Sequence, residues 1–422
     1  MTASQILLLY LVLFAIEYSW EMVLEILNIK HVKKNKSEIP AAFQATTDKE
    51  TYEKSINYTL TNTNFGLVSS AFSSVLLLVI VLSGALGIVD DYLGTLGLGT
   101  YSHGVLFIYT LALFFSLSTL PFSIYSTFVI EEKFGFNKMT WKLFIIDAVK
   151  GMVLSALFLT PLLYALFWFM DTAGPNWWIY AFSLFAAFQL LMVLIYPTLI
   201  APLFNKFSPL GDGELKDKIL ALAEKVGFKT NGIFVMDGSK RSRHSNAYFT
   251  GLGKLKRIVL FDTLVESSEP EELLAVLAHE IGHEKKNHIK KGMALSLLSM
   301  GIGFWILSLL LPYAPFYQAF GFSENSYHAA IILFSFCSGP FTFYLAPLRS
   351  KLSRKHEYEA DRFAVEATGG ANGLKNALLR LSKDNLSNLT PHPLYSGYHY
   401  SHPTLSERIA AMEKHATILK KA

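Results

Sequence analysis

A single cysteine, Cys337, stands in 422 residues. No intrachain disulfide can form, and no cysteine cluster is available for a metal. Charge is also scarce. Charged side chains make up 17% of the chain, against about a quarter in an ordinary soluble domain. The formal net charge of +4 is too small to argue for nucleic acid, and no such partner is expected. These shortages exclude a disulfide scaffold, an ordinary cytosolic enzyme and a disordered chain. What is abundant is apolar sequence: 52% of residues are hydrophobic, and they are bunched.

Crossing a bilayer takes about 20 mainly apolar residues. Seven stretches qualify: 6–28, 66–89, 104–127, 151–170, 177–203, 292–311 and 329–348. Glu17, Glu21 and Glu25 form an i, i+4, i+8 stripe in the first. Charges within a span are costly and face an interior or water. The stripe therefore reads as a chamber wall, or, for Glu25 and Glu21, as residues at the interface. The opening Met-Thr-Ala-Ser-Gln carries no positive side chain, so the first stretch does not read as a signal peptide.

Lysines and arginines number 6 in segment 30–65, 4 in 128–150, 15 in 204–291 and 12 from Arg349 onward, which accounts for all 37. The alternate segments 90–103, 171–176 and 312–328 have none. Basic residues stay on the cytoplasmic side. The expected topology has its N-terminus outside, seven crossings and its C-terminus in the cytoplasm. Sequons at Asn35, Asn57, Asn385 and Asn388 then lie inside and stay unglycosylated.

The fold class expected is mainly α: a polytopic membrane protein with seven transmembrane helices and a cytoplasmic domain containing a small β-hairpin or sheet. Residues 1–203 hold spans one to five, and 204–291 form an inner α/β segment. Residues 292–348 hold spans six and seven, and 349–422 form a helical tail. Within the α/β segment a helix is expected over 214–227, with strand-like runs at 232–236, 246–250 and 257–261. The last two are joined through residues 251–256 as a hairpin. A second helix starts near Ser267-Ser268-Glu269-Pro270, a serine suiting the N-cap and the proline the first turn. It runs to about His288 and continues towards span six. In the tail, helices are expected over 349–367 and 373–383, then a loop over 391–402 and a final helix from Pro403.

Residues 279–283 read His-Glu-Ile-Gly-His. Histidines at i and i+4 share one helix face, about 6 Å apart along the axis. Both imidazoles can reach one zinc, with Glu280 beside them as base. A catalytic zinc wants three protein ligands and an open position. The tail run Glu357-Tyr358-Glu359-Ala360-Asp361 offers a carboxylate from a separate helix. Glu357 is the candidate third ligand. Asp361, at i+4, can bond the outer nitrogen of a liganding histidine. Glu359 faces elsewhere and is the weaker candidate.

Four further runs carry a resemblance. They are residues 242–250, residues 120–140, the pattern Ser353-Arg354-x-x-Glu357-x-x-x-Asp361, and Tyr400-Ser401-His402-Pro403. With the HExxH run, they resemble the type 1 CAAX prenyl proteases, seven-span zinc metalloproteases, and the likeness extends from the first span to the tail. The resemblance implies one Zn2+ per chain on His279, His283 and Glu357, with Glu280 as general base. It implies that Asn246 and His402 assist substrate or oxyanion binding, with Arg354 and Asp361 behind the ligands. Asn246, Ala247, Tyr248, Phe249 and Thr250 become an edge strand that pairs with an extended substrate. It also implies a large water-filled chamber with the metal at its cytoplasmic end. One departure is Glu284, where the family often has an aromatic after HExGH.

The expected partners are peptide or protein substrates, prenylated or membrane-associated, and the lipid bilayer. A quality-control metalloprotease without prenyl preference is the alternative. A transporter or receptor with an incidental histidine pair leaves the ligand-type residues of the inner segments unexplained. An intramembrane protease would bury HExxH in a span, whereas Glu269-Pro-Glu-Glu and Glu284-Lys-Lys flank it here. A bacterial inner membrane is favoured over the endoplasmic reticulum as the location.

Overall fold

The computed structural model describes residues 1–251 and 256–421. Among them, seven helices are long and apolar enough to cross a membrane: Ala3–Lys34, Lys49–Leu82, Thr100–Phe134, Trp141–Thr172, Gly174–Phe204, His288–Leu310 and Tyr327–Thr368. Large apolar side chains such as Leu8, Val68, Met152, Leu157 and Leu298 stand exposed along them. That exposure is costly in water and natural in lipid. One end of the bundle has its own core, with Phe107, Phe167, Tyr317, Phe320 and Leu333 among its buried residues.

Several helix limits differ from the expected ones. The second span ends at Leu82, because Gly84 turns left-handed at φ 72°, and residues 85–89 belong to a separate short helix, Ala85–Gly94. Span seven and the expected tail helix are one helix of 42 residues, Tyr327–Thr368, carrying Pro340 and Pro347 and ending at Gly369 with φ 78°. A glycine in that conformation is a common helix terminator. The helix after Pro270 ends at Lys285, and Asn287 (φ 56°) breaks it from His288–Leu310. Its cap is Glu269, not a serine. Glu269 and Glu272 bond each other's backbone amides, and residues 262–267 form a short helix of their own.

The inner segment forms a four-stranded sheet in the order β1-β2-β4-β3, where β1 is Phe207–Pro209, β2 Ile233–Met236, β3 Ala247–Thr250 and β4 Arg257–Phe261. β2 and β4 run parallel, and the other pairs run antiparallel. The expected hairpin is present as the β3–β4 ladder, Ala247 facing Leu260 and Thr250 facing Arg257. Its turn residues 252–255 lie outside the described residues. β1 is too short to show a period in sequence. The expected loop 391–402 contains the helix Pro393–His399, and the last helix is Leu405–Leu419.

Residues from both sides of spans six and seven share one core. Ile219, Ile258, Leu260, Leu273 and Ile281 pack with Ala364, Val365, Leu374, Ile409 and Met412. The sheet is also fixed to the membrane helices. Lys138 and Arg243 donate backbone hydrogen bonds to Arg241 and Phe136, and the Arg241 guanidinium donates to Asp147 at 2.8 and 3.0 Å. Two of the runs that carry the resemblance, 120–140 and 242–250, therefore touch one another.

Candidate metal centre

The centre lies where the helix Pro270–Lys285 crosses the far end of Tyr327–Thr368. Their approach depends on one glycine. A Cβ at Gly282 would stand 3.1 Å from the Ala360 Cα and 3.2 Å from its oxygen. That closeness lets the imidazoles of one helix meet a carboxylate of the other.

His279 Nε2 and His283 Nε2 are 3.2 Å apart. Glu357 Oε2 lies 3.4 Å from the first, and Glu357 Oε1 lies 3.3 Å from the second. Two ligands on a tetrahedral zinc, each about 2.0–2.1 Å from the metal, sit about 3.3 Å apart. The three residues are thus spaced as ligands of one ion. Glu357 is only 4% exposed, and its Oε2 has no hydrogen-bond partner. An acceptor left unsatisfied in the interior is expensive. A cation between these atoms would satisfy it, so the residues fit a metal.

Asp361 Oδ1 sits 2.8 Å from His279 Nδ1, the nitrogen turned away from Glu357. The guanidinium of Arg408 grips Asp361 with two bonds, Nε to Oδ2 at 2.9 Å and Nη2 to Oδ1 at 2.6 Å. Burial opposes ionisation of Asp361, but Arg408 and His279 outweigh it and hold its pKa below the ordinary 3.8. Burial likewise opposes the charged form of His279, yet Asp361 and Glu357 lift its pKa to about 9. The Glu357 carboxyl is displaced by burial upward and by His279 and His283 more strongly downward, so its pKa falls. Glu280 differs: burial raises its pKa above 4.5 against the pull of His279 and His283.

Sequence reasoning passed over two residues, His288 and Arg408. His288 Nδ1 lies 3.1 Å from His283 Nδ1, and its Nε2 lies 3.0 Å from Glu359 Oε2. Glu359 does face away from Glu357, and what it faces is this second histidine. His288 had a local signal, being five residues after His283. Arg408, in the final helix, had none.

His402 is exposed, its Nε2 3.5 Å from Glu357 Oε1. Arg354 does not reach the cluster directly. It donates to the carbonyls of Ser396 (3.3 Å) and Tyr400 (2.8 Å), holding the turn that carries His402. The same turn leans on span one, where Tyr395 and His399 stand 3.4 and 3.5 Å from Glu25 and Glu21. β3 lies at the edge of the sheet and packs beside the His279 helix. Asn246 precedes it, exposed, its Oδ1 accepting from the Ala247 amide. Glu284, the departure noted above, takes a hydrogen bond from Lys256 beneath the hairpin.

Residues 28–206 match the family described as CAAX prenyl protease N-terminal, five membrane helices, and residues 209–416 match peptidase family M48. CAAX prenyl protease 1 of Saccharomyces cerevisiae is 38% identical over 410 residues, 91% of this chain and 90% of that protein. The Homo sapiens homolog is 35% identical, covering 94% and 93%. The crystal structure of S. mikatae Ste24p is similar at a TM-score of 0.91, with 37% identity, over 97% of this chain and 99% of that one.

Proposed function

The chain belongs to peptidase family M48, in its CAAX prenyl protease branch, and is an integral-membrane metalloendopeptidase; from that premise we propose that zinc is its metal, that His279, His283 and Glu357 hold it, and that its substrates are prenylated peptides. The observation that carries this is the convergence of His279 Nε2 and His283 Nε2, 3.2 Å apart, on the Glu357 carboxylate, whose Oε2 lies 3.4 Å from the first and Oε1 3.3 Å from the second. When bound, zinc supplies Lewis acidity toward a peptide carbonyl and toward water.

The chain's own residues do the rest. Glu280 accepts a proton at its carboxylate and passes it to the leaving amine, and burial strengthens it as a base. Asp361 holds the Nδ1 proton of His279, which leaves Nε2 free as a ligand. His402 offers an N–H to the developing oxyanion, in a turn positioned by Arg354. Asn246 offers its amide donors at the head of β3. Ala247, Tyr248, Phe249 and Thr250 present the free edge of β3 to an extended peptide, which is then held by its backbone. Buried prenyl carbons add about 0.8 kcal/mol per methylene.

Residues 1–203 and 292–348 serve as the membrane part, and 204–291 with 349–422 as the protease part. The relatives named above come from a yeast and from Homo sapiens. They support an endoplasmic-reticulum membrane in place of the bacterial inner membrane. The gathering of all 37 basic residues in the inner segments supports a site that faces the cytoplasm.

The test is a matched pair of fluorogenic peptides, farnesylated and unmodified, at equal low concentration with purified enzyme. The farnesylated one is expected to show at least about a tenfold higher kcat/KM, equivalent to burial of two methylenes. Equal values would leave a membrane quality-control protease without prenyl preference. Glu280→Gln is expected to keep its zinc and lose turnover by about 10²–10⁴-fold. Wild-type turnover in that variant would remove Glu280 from the mechanism.

A further inference from the structure

Ten of the 12 histidines lie in the four basic segments. The two that do not, His103 and His328, lie side by side at the opposite end of the bundle, ring centres 4.9 Å apart. Between them stands Asp90, from the short helix Ala85–Gly94. Its Oδ1 is 2.9 Å from His103 Nε2 and 2.7 Å from His328 Nε2. The three donor atoms all fall within 4.8 Å of one another.

Five observations ask more of this cluster than a hydrogen bond. The Asp90 carboxylate is 17% exposed, and segments 90–103, 171–176 and 312–328 supply no Lys or Arg to balance it. A buried carboxylate needs a counter-charge. His103 Nε2 is sealed from solvent and, despite its distance from Asp90, is not aligned for a hydrogen bond to any group. His328 is 4% exposed and its ring packs 4.9 Å from that of Phe107, which fixes the imidazole in place. Gly104 makes the room: a Cβ there would stand 2.9 Å from the Phe167 ring and 3.1 Å from His328 Nδ1. Ser326 Oγ, 3.1 Å from His328 Nε2, keeps a fourth position polar.

We propose that Asp90, His103 and His328 form a second metal site, structural in role, for a divalent transition ion of the zinc class. Two imidazoles and one carboxylate are ligands of that class. The ion would fasten the helix 85–94 to the first turns of spans three and seven, with the donors drawing apart by about half an ångström to the spacing of a zinc tetrahedron. His328 and Glu357 are 29 residues apart in one helix, roughly 43 Å along its axis. The two sites cannot share an ion.

The test uses the full chain in detergent with the other site removed by His279→Ala and His283→Ala. After loading with zinc and exhaustive dialysis, elemental analysis is expected to find one zinc per chain. The same chain carrying Asp90→Asn, which keeps the shape and weakens ligation, is expected to lose it, as is one carrying His103→Gln and His328→Gln. Cobalt substitution of the chain with intact Asp90 should give the visible absorption of a four-coordinate nitrogen and oxygen site, which needs no further variant to fold. A chain lacking His279 and His283 that holds no stoichiometric zinc and gives no cobalt band would overturn the proposal. Wild type with two zinc ions would separate this site from the HExxH site.

Discussion

Asp361→Asn is the substitution that most directly probes how the HExxH site is oriented. The asparagine keeps the size of the carboxylate but removes its charge. Asp361 is 1% exposed and Arg408 7%, so the guanidinium has little water to turn to. Two bonds of 2.9 and 2.6 Å lose their charged acceptor, as does the 2.8 Å contact to His279 Nδ1. Breaking a buried pair from one side costs about 3–5 kcal/mol. Replacing a partner behind a metal-bound histidine costs about 10–100-fold in affinity. Asp361→Asn is therefore expected to bind zinc about 10–100-fold more weakly, as read by chelator competition, and to unfold earlier. Paired with Arg408→Met, which removes the stranded cation, it should regain stability but not zinc affinity, because the contact to His279 is still missing. Wild-type zinc affinity in Asp361→Asn would refute the orienting role. Equal stability of the single and double variants would refute the argument from the stranded charge.

Three further outcomes follow from other residues. Gly282→Val is expected to push apart the two helices that carry the candidate ligands and lower zinc occupancy severalfold; a fully loaded and active Gly282→Val would show that the 3.1 Å approach to Ala360 is not needed. His244 bonds Glu131 and Asn385 at 3.2 and 3.0 Å, and these contacts, with Glu131 foremost, raise its pKa above 6.5 against burial. Because the folded value lies above the unfolded one, its contribution is complete below about pH 6.5 and fades as pH rises through the raised value. The side chain is 35% exposed, so the effect is worth no more than about 1 kcal/mol; His244→Gln should flatten the stability profile above pH 6.5, and an unchanged profile would count against the pair. In oriented vesicles or cells, a reporter fused after Ala422 is expected in the cytoplasm and a tag within 312–328 on the opposite side, and reversed labelling would overturn the orientation drawn from the basic segments.

Spans were legible because a bilayer imposes a length and a composition on each one separately, and every span can be read without its neighbours. Their ends were less so. The break at Gly84 lies inside an apolar run, and the continuation of span seven to Thr368 crosses from apolar into charged sequence without a stop signal. Helix termination there depends on a backbone angle at one glycine, not on polarity. The strand Arg257–Phe261 was legible as a β-branched run, and Phe207–Pro209 was too short to be.

By itself the sequence determined the class of molecule and half of the candidate site. His279, Glu280 and His283 share one turn of one helix, and i, i+4 spacing is a local property. Glu357 and Asp361 are another such pair. The tertiary structure alone decided that the two pairs meet, that Arg408 seals Asp361 from 47 residues away, and that His288 reaches Glu359 across 71. It alone brought Asp90 to His328 across 238 residues. Side chains so far apart leave no shared period or composition in the chain, because their contact depends on how whole helices pack and not on the residues beside them.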